Sequence, residues 1–260
     1  MSGRIALVTG VSRRAGIGAA IARRLAAAGA DLVLQGWEPH DAGQSWGADE
    51  GGIGALAAEL RAAGSAVEVI DTDLADPEAP GRIVAAAVDR FERLDVVVAN
   101  HARSVEWAPF ATVSAEEIDR SYAVNARAVL LLAREFAARY EPAPGGPGGR
   151  VILLTSGQDV TPMPEEIPYA ASKAALSGIT RSLAAALAPA GITVNCVDPG
   201  PTDTGWATPE LLERERARLP FGRWGEPDDA ARLIAWLASD DGRWVTGQVI
   251  HSDGGHGLFG

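Results

Sequence analysis

The stretch "TGVSRRAGIG", from Thr9 to Gly18, decides the fold. It follows a short apolar run at 5–8 and opens an alanine-rich segment. A strand, then Gly10, then Gly16-Ile17-Gly18, then a helix is the context of a nucleotide-binding loop. The glycines let the backbone turn sharply and approach a pyrophosphate, whose charge meets the helix N-terminus. A plain strand-to-helix turn is the competing reading, and the flanking strand and helix favour the nucleotide. The spacing departs from G-x-G-x-x-G, and Arg13 and Arg14 stand between the glycines with Ser12 before them.

Outward from the loop, short β-branched runs alternate with long alanine-rich ones. The spacing predicts strands at 4–9, 31–35, 66–71, 96–99, 150–155, 193–198 and 249–251. They read as continuous apolar stretches without in–out alternation, the mark of strands covered on both faces. Helices are predicted at 16–28, 53–63, 78–91, 115–140, 169–188 and 227–239. Asp76-Pro77, Thr208-Pro209 and Glu226-Pro227 are start signals, and Ser114 with Glu117 forms a capping box. The whole chain therefore reads as one α/β domain, a doubly wound parallel sheet with ligands at the carboxyl ends of its strands. "EPAPGGPGG" at 141–149 is a surface loop within that alternation, and 36–52 is a long loop that has a function or is mobile.

The 260 residues are 47% hydrophobic, ample for one sizeable core. A net charge of −11 and a pI near 4.8 argue against nucleic acid or anionic lipid as a partner. The single cysteine, Cys196, lies in the strand-like "ITVNCV" and reads as a small buried hydrophobe in a reducing compartment. The first apolar run is too short for a secretory signal, and no stretch is long and apolar enough to span a membrane. The expectation is a soluble cytoplasmic protein.

"YAASK" opens a predicted helix, so Tyr169 and Lys173 lie four apart on one face. An ammonium near a phenol favours the phenolate. Bringing a tyrosine from its usual pKa to neutrality takes roughly three units, or about 4 kcal/mol. Thirteen residues upstream, at the end of a strand, stands Ser156 in "VILLTSG". Asn125 sits mid-helix in "YAVNARAV", where a polar residue needs a reason. "VNCVDPGPTDT" follows the sixth strand, and "DGG" at 253–255 lies near the end of the chain.

The ordered set Asn125, Ser156, Tyr169 and Lys173, with the glycine loop and the terminal DGG, resembles the short-chain dehydrogenase/reductase family, 3-oxoacyl reductases among them. The likeness covers essentially the whole chain. It implies a Rossmann-like sheet of about seven strands, a nicotinamide cofactor and a homotetramer or homodimer. By that likeness Tyr169 exchanges a proton with the substrate and Ser156 hydrogen-bonds the substrate oxygen. Lys173 binds the nicotinamide ribose and lowers the Tyr169 pKa, while Asn125 holds a water of the proton relay. Asp73-Leu74 flank adenine, the Asn100 backbone approaches the adenine ribose, and Pro199, Gly200, Thr202 and Thr204 grip the nicotinamide end. The family loop is usually TGxxxGxG, and this one is two residues longer. The usual NNAG appears as Ala99-Asn100-His101-Ala102, so that His101 lines the cofactor channel or fills space.

An acid at the end of the second strand would bind a ribose 2′-hydroxyl and repel a 2′-phosphate. Gln35-Gly36-Trp37 offers none, and Arg13 and Arg14 suit phosphate oxygens. NADP(H) is favoured and NAD(H) is possible. A partly apolar pocket is expected from 101–110, 157–168 and 201–221, with Trp107, Phe110, Met163, Trp206 and Phe221. Relatives that act on acyl chains of an acidic carrier want basic docking patches, and "LAPAG" at 187–191 has none. The substrate is therefore expected to be a free ketone or secondary alcohol, with a 3-oxoacyl carrier-protein or CoA thioester as the alternative. His40, His251 and His256 show no metal-ligand spacing, so no catalytic metal is expected. A non-catalytic nucleotide sensor has no use for Tyr169 and Ser156 together, and a purely structural oligomer leaves the glycine loop unexplained.

Overall fold

The central apolar runs offer no polar face to turn outward, so they pair side by side and are covered twice. In the computed structural model, which describes residues 1–105, 107–142, 146–217 and 219–258, they form β1 (Ile5–Thr9), β2 (Asp31–Gly36), β3 (Val67–Asp71), β4 (Val96–Ala99), β5 (Gly149–Leu154), β6 (Ile192–Asp198) and β7 (Val249–His251). All pairings are parallel, in the order β3-β2-β1-β4-β5-β6-β7. Alternation along β1 divides the core. Ala6 and Val8 pack with α1 (Ile17–Ala27), α3 (Gly52–Ala62) and α9 (Pro227–Ala238). Ile5 and Leu7 pack with α4 (Ala79–Phe91), α6 (Ala128–Arg139) and α7 (Ile167–Leu187). The strand order reverses between β1 and β4, and a crevice opens outside their carboxyl ends.

The structure corrects several local expectations. The helix predicted at 115–140 is interrupted: α5 (Ala115–Tyr122) passes through a π-helical turn, Ala123–Arg127, into α6. Asn125 is inside that turn. The Ser114 capping box is half made. Its hydroxyl accepts from the Glu117 N–H, but the Glu117 carboxylate pairs with Arg103 instead of turning back. The complete box is at Glu226 and Asp229, where α9 begins. Pro77 precedes α4 rather than opening it, and Pro80 occupies its first turn. Helix α7 starts at Ile167, two residues earlier than predicted. The long loop after β2 contains a short helix, α2 (Glu38–Ala42), and Thr208 caps α8 (Pro209–Arg216). Of the 141–149 loop, 143–145 lie outside the described residues, as do 106 and 218 in the expected pocket walls. Among the described residues no helix is long and apolar enough to cross a membrane.

Candidate active site

The glycine loop is built by close approach of two strand ends. Gly10 has φ +69°, and a Cβ there would lie 2.6 Å from the His101 Cα. A Cβ on Gly18 would lie 2.5 Å from the Gly10 oxygen and 2.6 Å from Asn100 Nδ2, so neither position admits a side chain. Asn100 Nδ2 donates to the Thr9 and Gly10 carbonyls at 2.9 and 3.0 Å, which makes its amide a staple of the loop itself. Gln35, which the sequence reading used only as an absence of acid, is a second staple. Its Oε1 accepts from the Gly10 N–H at 3.2 Å and its Nε2 donates to the Thr72 carbonyl at 2.8 Å. It thereby ties β1 to the Asp73-Leu74 corner, where Asp73 accepts from the Ala75 N–H and Leu74 is buried. The available signal was a polar residue ending a buried strand. Helix α1 begins behind Gly16 with no side-chain cap and no acid in its first turn. Its leading N–H groups, Ile17 and Gly18 among them, are those a helix leaves without internal partners and an anion can use.

The two arginines part company. Arg14 turns outward to Glu59 at 3.6 Å, and its N–H is taken by Asp49. Arg13 lies over the Trp46 ring at 5.1 Å, and a Cβ on Gly205 would be 3.4 Å from its Nη2. It therefore spans the cleft between the segment at 37–52 and the loop after β6. Arg13 Nε and Trp46 Nε1 are both enclosed without a hydrogen-bond partner among the described residues. Two unpaired donors beside an uncapped helix start fit phosphate oxygens. One feature opposes them. The acid missing from the end of β2 returns from α2, where buried Asp41 accepts from Ser12 Oγ at 2.5 Å. Gly36 stays close beneath, since a Cβ there would meet the Ser12 Cβ at 3.1 Å.

Ser156 stands in extended conformation just past β5, with its hydroxyl facing that of Tyr169 in the first turn of α7. Lys173 follows one turn later, with Nζ 5.9 Å from the Tyr169 ring centroid and donating to the Leu154 carbonyl at 2.9 Å. Part of the Tyr169 side chain faces the cleft, but its hydroxyl sits deep among protein atoms, and that burial pushes its pKa up to about 12. The neighbouring Ser156 hydroxyl works against this rise, and the charges of Glu166 and Asp198 add to it. Burial lowers Lys173 to about 8. The nearby cation favours the phenolate, and enclosure acts on the phenol in the other direction. Cys196, beneath Lys173, is fully buried and pushed up to about 11 by that burial, an inert thiol.

Asn125 is fully buried, and its amide is fully engaged. Oδ1 accepts from the Arg103 N–H at 2.7 Å, and Nδ2 donates to the Arg103 carbonyl at 3.1 Å and to Ser172 Oγ at 3.0 Å. Ser172 Oγ donates in turn to the Tyr169 carbonyl at 2.7 Å. The side chain thus braces the loop after β4 against α7, with both amide hydrogens engaged by protein atoms. His101 is buried with both ring nitrogens hydrogen-bonded, so it does more than fill space.

In the loop after β6, the Gly200 N–H is held by Asp198, and buried Thr202 donates to the Pro199 and Gly200 carbonyls, both at 3.2 Å. Thr204 follows, half-buried. The outer wall is aromatic. Trp206 packs edge-on against Trp107 at 6.5 Å and Trp224 at 6.0 Å, and Trp107 Nε1 donates to Glu166 at 3.0 Å. Phe110 and Phe221 are exposed at the rim. Trp224 was missed because it joins the wall from beyond α8. The fold also gathers Asp198, His251 and Asp253, which spacing along the chain did not show. Their carboxylates already accept from the Gly200 and Gly255 N–H groups, and His251 Nδ1 is 2.9 Å from Asp198.

The likeness to known proteins runs along nearly the whole chain. The family described as Enoyl-(Acyl carrier protein) reductase matches residues 10–257. An uncharacterized oxidoreductase of Bacillus subtilis is 42% identical over 252 residues, 97% of this chain and 96% of the relative. An NADPH-dependent aldehyde reductase-like chloroplastic protein of Arabidopsis thaliana is 37% identical, covering 98% of this chain and 95% of its own. Among solved structures, a blue fluorescent protein from a metagenomic library, in complex with NADPH, superposes with a TM-score of 0.85 at 35% identity, covering 98% of both chains.

Proposed function

The chain belongs to the short-chain dehydrogenase/reductase family of NAD(P)-dependent oxidoreductases, and on that premise we propose that it reduces a free aldehyde or ketone with NADPH, Tyr169 giving the proton. The observation that carries this reading is the Ser156–Tyr169 hydroxyl pair, backed by Lys173, in the crevice onto which the glycine loop opens. The nicotinamide, when bound, supplies hydride to the carbonyl carbon. The chain's residues do the rest. Ser156 and Tyr169 hold the carbonyl oxygen, the Tyr169 proton passes to it, and the Lys173 cation offsets the phenolate left behind. A phenol near 12 is fully protonated and ready to donate.

Backbone at Gly10 and at Gly16-Ile17-Gly18, with Arg13, would hold the phosphates. Asp73, Leu74 and Asn100 border the adenosine end, and Pro199, Gly200, Thr202 and Thr204 the nicotinamide end, with Lys173 near its ribose. The tryptophan wall suits an apolar or aromatic carbonyl compound. Net charge −11 and the uncharged turn at 187–191 favour a free substrate over an acidic carrier. The lone buried thiol suits a cytoplasmic setting.

A second reading, NAD(H), is favoured by Asp41, whose carboxylate could bind ribose hydroxyls and repel a 2′-phosphate. Titration of both cofactors decides. Arg13→Ala is expected to weaken NADPH about ten- to a hundredfold and NADH far less, the loss of a charge-assisted phosphate contact of roughly 1.5–3 kcal/mol. Arg14→Ala should change neither. Equal losses, or a wild type preferring NADH, would favour the second reading. A screen of aldehydes and ketones by nicotinamide absorbance tests the activity. Tight cofactor binding without turnover of any carbonyl would leave a sensor.

Exposed Ile118, Tyr122, Leu130 and Ile179 lie on the outer faces of α5, α6 and α7. Of the run at 129–132, Val129 and Leu132 point inward and Leu130 outward. We expect these faces to meet in a dimer or tetramer. Light scattering should give a multiple of 27.0 kDa, and a monomer at micromolar concentration contradicts the expectation.

A further inference from the structure

We propose that His101 is a positioning residue: by donating to the Val124 carbonyl it holds the π-helical turn that sets Asn125, and so couples the phosphate loop to the catalytic helix. Its effect on turnover rests on the reaction proposed above, whereas its effect on the turn does not.

The hydrogen-bond roles follow from the partners. His101 Nε2 is 3.0 Å from the Val124 oxygen. A carbonyl cannot donate, so Nε2 carries the proton and Nδ1 is the acceptor. Nδ1 lies 2.7 Å from Thr9 Oγ1, nearer than the 3.4 Å from that hydroxyl to the Val98 carbonyl, so the threonine proton goes to the imidazole. Thr9 Oγ1 accepts in return from the N–H groups of Asn100 and His101 at 3.1 and 3.3 Å. Burial is the larger reason, and the Lys173 charge the smaller, that the ring stays neutral, its pKa lowered to about 3. The neutral form with the proton on Nε2 is the one this chain of bonds requires.

The turn explains why a donor is needed at Val124. Within Ala123–Arg127 the helix is wound to five-residue bonds, and the Ala128 N–H reaches back to the Ala123 carbonyl. In an α-helix that N–H would have served Val124. The skipped carbonyl receives the imidazole N–H instead. One residue on, Asn125 clasps the Arg103 backbone and Ser172 Oγ, and Ser172 Oγ reaches the Tyr169 carbonyl. A continuous path therefore runs from Thr9, at the start of the phosphate loop, through His101 and the π turn, to the backbone of Tyr169. A buried carbonyl passed over by the π turn needs a partner from outside the helix, and His101 supplies one that a small residue at this position could not.

Three substitutions separate positioning from space-filling. Phe keeps the bulk and donates nothing. The Gln amide can reach where Nε2 stood. The Asn amide reaches only as far as Nδ1. His101→Phe and His101→Asn should lower kcat tenfold or more while the NADPH dissociation constant moves less than about threefold, and His101→Gln should return kcat to within about threefold of wild type. Hydrogen exchange across 123–128, measured without substrate, should quicken in Phe and Asn and stay near wild type in Gln. Should the Phe protein not fold, the Gln–Asn pair decides alone. Equal kcat and equal exchange in Gln and Asn, or a Phe variant as active and protected as wild type, would overturn the proposal. If wild type reduces no carbonyl, the reaction reading fails and the exchange order still judges His101.

Discussion

The two ends of one sheet bury ionisable side chains to opposite purposes. At the amino ends, Arg4, Asp95 and Arg150 are almost fully enclosed. Arg4 donates to the Ala238 and Gly148 carbonyls at 3.0 and 2.6 Å, and Arg150 to the Gly149 and Ser239 carbonyls at 3.0 and 3.3 Å. Asp95 accepts from the Ile5 N–H at 2.8 Å and pairs with Arg93. Burial and the neighbouring Arg4 lower Arg150 only to about 10, so it remains a cation. The two arginines tie the starts of β1 and β5 to the end of α9, and Asp95 ties β4 to β1. At the carboxyl ends, burial carries Lys173 to about 8 and Tyr169 to about 12, and makes His101 neutral. In the first cluster Arg150 keeps its charge at neutral pH. The second puts one group close to it, where a proton can be moved.

The sharpest break between the two ends is Tyr169→Phe. Turnover should fall about a thousandfold, the scale of a lost acid catalyst, with urea stability and cofactor affinity nearly unchanged. Retained activity would move the acid–base role elsewhere. Arg150→Ala should do the reverse. Its bulk and its carbonyl bonds are lost, costing about 3 kcal/mol, seen as a lower urea midpoint at fixed protein concentration with kcat per folded enzyme preserved. A variant of wild-type stability would mean the amino-end cluster is decorative.

The smallest effect has the most telling sign. The folded pKa of Lys173 is below the ordinary lysine value of 10.5. The unfolded chain thus holds more protons between about pH 8 and 10.5, so this group costs stability in full below pH 8 and the cost is relieved as pH rises through that window. Lys173→Met should therefore stabilise the protein at pH 7 by about 1–2 kcal/mol, after allowing for the lost bond to Leu154, while abolishing activity. In wild type, kcat/KM for carbonyl reduction should be flat below about pH 8 and then fall up to tenfold per unit as the cation is lost. A profile flat to pH 10, or a destabilised Lys173→Met, would show that the lysine is not poised.

Legibility along the chain followed the range of the interactions. The parallel sheet, the glycine loop and the spacing of Ser156, Tyr169 and Lys173 were readable because alternation, turn chemistry and a one-turn helical interval are local. Arg13 and Arg14 looked equivalent because adjacent residues share every local feature. Only Trp46 and Glu59, arriving from distant segments, separate them. Asp41 was overlooked for the same reason: the acid comes from a helix beyond the strand end, not from the strand itself. Asn125 was recognised as a polar residue in need of a reason, but the π turn around it leaves no mark in an alanine-rich sequence.

By itself the sequence determined the α/β alternation, the doubly covered sheet and the presence of a tyrosine and a lysine one helical turn apart. Those rest on periodicity and backbone preference, which act over a few residues. The tertiary structure alone decided how deeply that tyrosine and lysine are enclosed, and hence the direction in which each pKa moves. It alone decided which arginine faces the cleft, and that His101 meets Thr9 on one side and Val124 on the other. Desolvation and hydrogen bonding depend on which atoms surround a group, and those atoms come from β1, β4, the π turn and α7, which meet only when the chain has folded.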